Sequence, residues 1–255
     1  LKKQREIASL ISKYDYLIEN NNRRIAILEE MAQSLYREWF VKFCYPGHEN
    51  QKLVESPLGL IPEGWEVESA SQVININPRT TLKADGENPF ISMSCLSENS
   101  MVIDGIESKK GNSGAKFINR DTLFSRITPC LQNGKIGFAQ FLNSEHPVGF
   151  GSTEFIVFRQ TEKLSAEFIY LLSRTKSFRE NAIQSMTGAS GRQRVQNECF
   201  SSFHLAVPPA DVMHEFTAIV APLFKSIYNL SERNSNLKKQ RDMLLPKLIS
   251  GSITI

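Results

Sequence analysis

Residues Leu1–Phe40 read LKKQREIASLISKYDYLIENNNRRIAILEEMAQSLYREWF, and residues His214–Gly251 read HEFTAIVAPLFKSIYNLSERNSNLKKQRDMLLPKLISG. In the first, Ile7, Ile11, Tyr14, Ile18, Asn21, Ile25, Leu28, Ala32, Leu35 and Trp39 follow one another in alternating steps of four and three. Nine of those ten positions are apolar or aromatic, the a/d seam of a coiled coil sustained for more than four heptads. Moving the frame by 209 residues lands on Phe216, Val220, Leu223, Ile227, Leu230, Asn234, Leu237, Arg241, Leu244 and Leu248, eight of the ten apolar. Glu6 then matches Glu215 and Leu28 matches Leu237, so the two ends read as an internal repeat.

At about 1.5 Å per residue, roughly 40 residues give a helix on the order of 60 Å long. Pro222 and Pro246 remove ladder donors from the second stretch and are expected to start, kink or end it. Two helices of equal length joined by a compact domain pair most simply as the antiparallel legs of a hairpin. With full overlap, Ile7 faces Leu248, Trp39 faces Phe216, and Asn21 faces Asn234. A polar layer at mid-seam costs stability but fixes register. The competing reading is of two helices packed separately on a globular core.

From Pro46 to Pro209 the periodicity changes. GWEVESASQVININ, FISMSCL, TLFSRIT, KIGFAQFL and TEFIVFRQ are short β-favouring runs broken by Gly, Asn, Asp and Pro. One helix is expected over Ala166–Met186, burying Phe168, Leu171, Leu172, Phe178 and Ile183. TGASGRQRVQNECF follows as a loop of small and basic residues, and FHLAVPP leads into the last helix. The expected class is α+β: a mixed domain over residues 44–210, held between coiled-coil helices over 1–43 and 211–255.

The bulk numbers allow this. With 41% apolar and 22% charged residues, a chain of 255 can bury a substantial core. No apolar run reaches the ~18 residues of a membrane span, and the start carries no secretory signal pattern. Cys44, Cys95, Cys130 and Cys199 are scattered without a CxxC pair, which suits a reducing cytosol rather than a disulfide framework. His48, His146, His204 and His214 are equally dispersed, so no metal site is expected. A net charge of +3 is too mild to announce a nucleic-acid partner.

The middle domain offers little catalytic chemistry. GFGSTE holds a lone Gly-x-Gly (Gly149, Gly151) without the third glycine of a dinucleotide site, and there is no GxxxxGK[ST] loop. Asn77-Pro78-Arg79 is not the Asn-Pro-Pro-aromatic set of an amino-methyltransferase. One nuclease-like spacing exists, Asp85 followed by Glu107-Ser108-Lys109, which could hold Mg²⁺ and activate water. Against it, ADGENP around Asp85 reads as a turn, and Glu-x-Lys arises readily by chance in a charged chain.

Three loops instead set basic and polar residues among glycines. They are ESKKGNSGAK (Lys109, Lys110, Lys116), SRITPCLQNGK (Arg126, Gln132, Asn133, Lys135) and TGASGRQR (Thr187, Ser190, Arg192, Gln193, Arg194). Arginine can grip guanine with two bonds, Gln and Asn can read adenine, and Lys, Thr and Ser seat phosphates. Each loop could equally be solvated surface. Together they favour a nucleic-acid reader, with Arg192, Gln193, Arg194, Lys135, Asn133 and Arg126 foremost and Ser152-Thr153-Glu154 bracing the domain.

SLYREWFVKFCYPGHE, SPLGLIPEGWEV, DTLFSRITPCLQNGKIGFAQFL, GFGSTEFIVFR and TGASGRQRVQNECFSSFHLAVPP, followed by a heptad helix, resemble the specificity subunit of type I restriction-modification systems. The resemblance covers nearly the whole chain. It implies a target-recognition domain flanked by two conserved helical regions, which form an antiparallel coiled coil and act as a ruler between half-sites of bipartite DNA. It implies, further, that these helices dock modification (methyltransferase) subunits, which engage the restriction subunits. S-adenosylmethionine, ATP and Mg²⁺ would belong to those partners, so no cofactor is expected here. Outer-face residues Arg23, Arg24, Glu29, Lys238 and Lys239 are the candidates for that docking.

A full member carries two recognition domains. LKKQREIA resembles the sequence that follows the first of them, so the resemblance implies either a C-terminal half or a shortened subunit. The hairpin can close within one chain, and a homodimer is compatible but not required. The expected function is sequence-specific DNA recognition without catalysis, in the cytoplasm. The rivals are a coiled-coil scaffold whose middle domain binds protein, and a Mg²⁺ nuclease built on Asp85, Glu107 and Lys109.

Overall fold

The computed structural model describes residues 2–250 and 252–253. In chain order the elements are α1 (Lys2–Tyr36), β1 (Leu53–Ser56), β2 (Gly59–Pro62), β3 (Glu66–Ser69), α2 (Ala70–Val73), β4 (Asn75–Ile76), β5 (Glu87–Ile91) and β6 (Glu107–Lys110). Then follow β7 (Ala115–Ile118), β8 (Thr122–Ser125), β9 (Ile136–Phe138), β10 (Val148–Gly151), β11 (Phe155–Arg159), α3 (Ala166–Arg174), α4 (Lys176–Gln184), α5 (Cys199–Ser202), β12 (His204–Val207) and α6 (Ala210–Ser250). The class is α+β. The chain divides into two compact units, Leu1–Met31 with Pro222–Ile255, and Ala32–Ala221.

The first unit is an antiparallel helix pair. Asn21 Nδ2 donates to Asn234 Oδ1 at 2.9 Å, and Arg241 Nη1 meets Asp15 Oδ1 at 2.6 Å, so residue numbers rise on one leg as they fall on the other. Ile18, Ile25, Ile227, Leu230 and Leu248 are buried along the seam. Arg241 explains its own departure from the apolar pattern: at the seam's edge it reaches across to Asp15 rather than filling a hole. Pro222 and Pro246 neither start nor end α6, which runs through both. Both are exposed, so water can satisfy the carbonyls that lose an N–H partner.

The second unit is built on two four-stranded sheets, ordered β6-β5-β10-β7 and β4-β11-β8-β9. Ile91 and Phe117 of the first share a core with Leu123, Phe155 and Val157 of the second. On the other side of β8 and β11, Phe124 and Phe158 meet Phe178 and Phe200, all fully buried. Burying rings of this size is the main term holding the helices to the sheet.

A third apolar cluster fixes the helix ends that belong to this unit. Residues Arg37–Val41 wind as a π-helical turn that buries Trp39 and Phe40 together. Phe216 packs on both, with ring centroids 5.6 Å from Trp39 and 4.6 Å from Phe40, and Phe40 also meets Phe168 at 4.8 Å. The expected Trp39–Phe216 and Asn21–Asn234 pairings are therefore both present.

Two expected elements are subdivided. Ala166–Met186 is not one helix but α3 and α4, because Thr175 leaves the helical backbone (ψ 149°) to cap α4 through Phe178 N. GWEVESASQVININ is strand, helical turn and strand, since Gln72 reaches back to the Ser69 amide at 3.1 Å and starts α2.

Candidate nucleic-acid interface

The loop after α4 is closed at its base by main-chain bonds. Thr187 N donates to Arg194 O at 3.1 Å and Arg194 N to Thr187 O at 2.9 Å. The same segment extends the end of β8: Thr128 N donates to Gln193 O at 3.1 Å, and Val195 N to Arg126 O at 2.9 Å. Side chains complete the weld. Arg126 Nη2 donates to Val195 O at 2.8 Å, and Gln196 Nε2 to Thr187 Oγ1 at 2.7 Å.

Arg194 lies along this base with a bidentate partner. Its Nε donates to Glu154 Oε2 at 2.9 Å and its Nη2 to Glu154 Oε1 at 2.6 Å. The Arg194 guanidinium holds the Glu154 carboxyl below the usual glutamate range, and Glu154 in turn raises Arg194. Glu154 O also accepts from Arg126 N at 2.9 Å, so this one residue ties the β10–β11 connection to both loops.

The loop's tip is differently made. Arg192 N donates to Ala189 O at 3.0 Å around Gly191, whose φ of +77° suits the third position of a type II turn. A Cβ on Gly191 would meet nothing within 4 Å, so the turn stands in open space. Ser190 and Arg192 are exposed, and their side chains engage no partner among the described residues.

The second loop, Arg126 to Lys135, follows β8 and sits beside the first, which main-chain bonds tie to the end of that strand. Its carbonyls are held by two arginines: Arg179 Nη2 donates to Gln132 O at 2.9 Å and Arg174 Nη1 to Gly134 O at 2.8 Å. Burial, aided by Arg174, pulls the Arg179 guanidinium below its ordinary value. Gln132 and Asn133 are exposed, with Asn133 Nδ2 on Glu98 Oε1 at 3.1 Å. Lys135 is half-buried and donates to Met93 O at 3.3 Å.

The third expected group is split. Lys109 and Lys110 lie on the fully exposed edge strand β6, while Lys116 is on β7 at the opposite edge of the same sheet. Two strands intervene, roughly 14 Å at the usual spacing. Lys116 Nζ turns back to Gly114 O at 3.3 Å, and Lys109 sits 4.0 Å over the Phe90 ring and 3.0 Å from Glu107. Asp85 is on a bend before β5, and no three His, Cys, Asp or Glu side chains group to hold a metal among the described residues.

On the helical unit, Arg23 pairs with Glu19 one turn earlier, Arg24, Lys238 and Lys239 are exposed, and Glu29 is half-buried. Among the described residues, no helix is long and apolar enough to cross a membrane. Sequence reading missed the anchors Arg174 and Arg179. Their only signal was two arginines on one helical stretch, and the carbonyls they hold come from loops about 40 residues away.

With this geometry in view, a family model described as the type I restriction modification DNA specificity domain matches residues 62–239. The chain is 23% identical over 266 residues to the type I restriction enzyme MjaIX specificity subunit of Methanocaldococcus jannaschii, covering 99% of this chain and 59% of that one. It is 30% identical over 161 residues to the EcoEI specificity subunit of Escherichia coli, covering 61% of this chain and 27% of that one. A solved type-I restriction-modification S subunit from M. genitalium has the same fold at a TM-score of 0.57 and 16% identity, over 97% of this chain and 60% of that one. The chain thus spans less than two thirds of the length of each of these relatives.

Proposed function

This chain belongs to the family of type I restriction modification DNA specificity domains, and on that premise we propose that it is a non-catalytic subunit recognising one half of a bipartite DNA target. Residues 44–210 form the target-recognition domain, and the segments 1–43 and 211–255, which carry α1 and most of α6, are the conserved regions that dock modification subunits, with restriction subunits joining through them. Arg23, Arg24, Glu29, Lys238 and Lys239 supply the docking surface. Methyl transfer, ATP-driven cleavage and the cofactors for both belong to the partners, and the assembly works in the cytoplasm.

The observation that carries the reading is the fusion of two polar, glycine-bearing loops onto the end of β8. Main-chain bonds hold the base of Thr187–Arg194 against Arg126–Thr128 and leave the tip open. A groove reader needs this combination, because phosphate and base contacts discriminate only when the contacting loop is held in one place. The contacts are proposed to come from Arg126, Gln132, Asn133 and Lys135 together with Thr187, Ser190, Arg192 and Gln193, with Arg194 holding that loop in place through Glu154. Lys109, Lys110 and Lys116 act further out, on phosphates.

The test is selection from a randomised duplex library by the chain assembled with its modification subunits. A short enriched word is the expected result. No enriched word, with binding insensitive to salt, would favour the protein-binding scaffold. Lys109→Ala should leave any cleavage by the full complex intact, whereas a nuclease built on Asp85, Glu107 and Lys109 would lose it.

A further inference from the structure

Within the loop Thr187–Arg194, two arginines two residues apart, on either side of one glutamine, are in opposite situations. Arg194 spends the Nε/Nη2 edge of its guanidinium on the Glu154 carboxylate, at 2.6–3.0 Å, while its main chain is bonded to Thr187 in both directions. Gln193 is held through its main chain, its N donating to Thr128 Oγ1 at 3.0 Å and its O accepting from Thr128 N at 3.1 Å, and the residue is half-buried. Arg192 has neither constraint beyond the turn that carries it.

Resting on the DNA-reading function proposed above, we infer that Arg192 is the base-reading residue of this loop and that Arg194 is a positioning residue clamped by Glu154. Three physical points lead there. The Glu154 carboxylate fixes the Nε/Nη2 edge of Arg194 and so fixes where that side chain points, whereas Arg192 can turn its whole fork to a guanine edge. A neutralised arginine releases little condensed counterion, so it adds little to phosphate affinity. The turn places Arg192 just past Gly191, in open space, where a long side chain can enter a groove without collision from its own loop.

The Glu154 carboxylate adds direction as well as grip. Lying under the loop base, it repels phosphates from Arg194 and leaves the tip as the part a duplex can approach. Arg194 then acts through Arg192, by fixing where the turn points.

The experiment uses the chain in complex with its modification subunits, a duplex enriched from a randomised library, and a scrambled duplex of equal length. Arg192→Gln should cut the preference for the enriched word about tenfold and relax one base-pair position, the size of one lost bidentate contact. Arg194→Gln and Glu154→Gln should lower the preference at that same position, with the salt dependence of scrambled-duplex binding unchanged. The double variant Arg192→Gln/Arg194→Gln should be no worse than Arg192→Gln alone. A second relaxed position, an additive loss in the double variant, or a shallower salt slope for Arg194→Gln would each overturn the assignment, as would an Arg192→Gln protein with unaltered preference. Failure of the wild-type complex to enrich any word overturns the DNA-reading function itself, a different outcome from the others. Thermal denaturation of each variant reports separately whether the fold persists.

Discussion

Asn21 and Asn234 are bonded side chain to side chain at 2.9 Å inside a seam whose other layers are mostly apolar, and both are buried. Asn234 Nδ2 also reaches Asn22 Oδ1 at 2.8 Å. Each amide's need is met only when these two helices stand in this register. A one-heptad slip would bury the same groups without partners, at a cost of about 1–3 kcal/mol each.

Truncation should reveal that dependence. Asn21→Ala strips the donor from the buried Asn234 Oδ1, and Asn234→Ala strips the acceptor from the buried Asn21 Nδ2, so each should destabilise the helix pair by about 1–3 kcal/mol. Replacing both by Leu should restore or raise the melting temperature while weakening register. A double-mutant cycle in thermal denaturation checks this; additive losses would show that the two side chains do not act as a pair.

Phe216 is fully buried between Trp39 and Phe40. Phe216→Ala removes the ring that locks the π-helical turn and leaves a void in a cluster with little room to collapse. The expected loss is about 3–5 kcal/mol, read from the urea midpoint. A loss below 1 kcal/mol would mean that the aromatic cluster tolerates a hole there.

Gly114 has φ +99°, and an added Cβ would lie 1.9 Å from the Gly151 carbonyl oxygen. Backbone, not a flexible side chain, is what it would strike. Gly114→Ala should therefore cost about 2–4 kcal/mol from the combined conformational and steric strain. Gly191→Ala meets no atom and should cost only the conformational part, about 1–2 kcal/mol. Equal losses would contradict this ordering.

The Glu154–Arg194 bond sets a pH dependence of known sign. Arg194 depresses the folded Glu154 carboxyl below its unfolded value, so the stabilisation is complete above the ordinary glutamate pKa of about 4.3 and is lost as pH falls through the folded value. Wild type should thus exceed Glu154→Gln in denaturant midpoint at neutral pH, with the gap closing below about pH 4. A gap that widened on acidification would reverse the assignment.

Much of this architecture was legible in local pattern. An unbroken 3-4 spacing is a property of each helix alone, and matching two such patterns end to end places Asn21 opposite Asn234 and Trp39 opposite Phe216, as the structure has them. Of the start, kink or end expected at Pro222 and Pro246, neither a start nor an end occurs, because a missing N–H matters little where the freed carbonyl faces water. Thr175 was overlooked as a break because a cap is one side chain against a strong apolar period.

The loops divide the same way. Their glycines and basic residues were visible as composition, and so was the family resemblance. Which arginine is spent and which is free was not, because Glu154 lies 40 residues from Arg194 and their meeting depends on how β8 and β11 pair. The sequence by itself determined what depends on near neighbours: two heptad helices, their polar layer, and the α+β class. Only the tertiary structure decided which charged groups are neutralised, which carbonyls Arg174 and Arg179 hold, and that Lys109 and Lys116 stand on opposite sheet edges. Such outcomes rest on long-range pairing, for which the chain carries no local period.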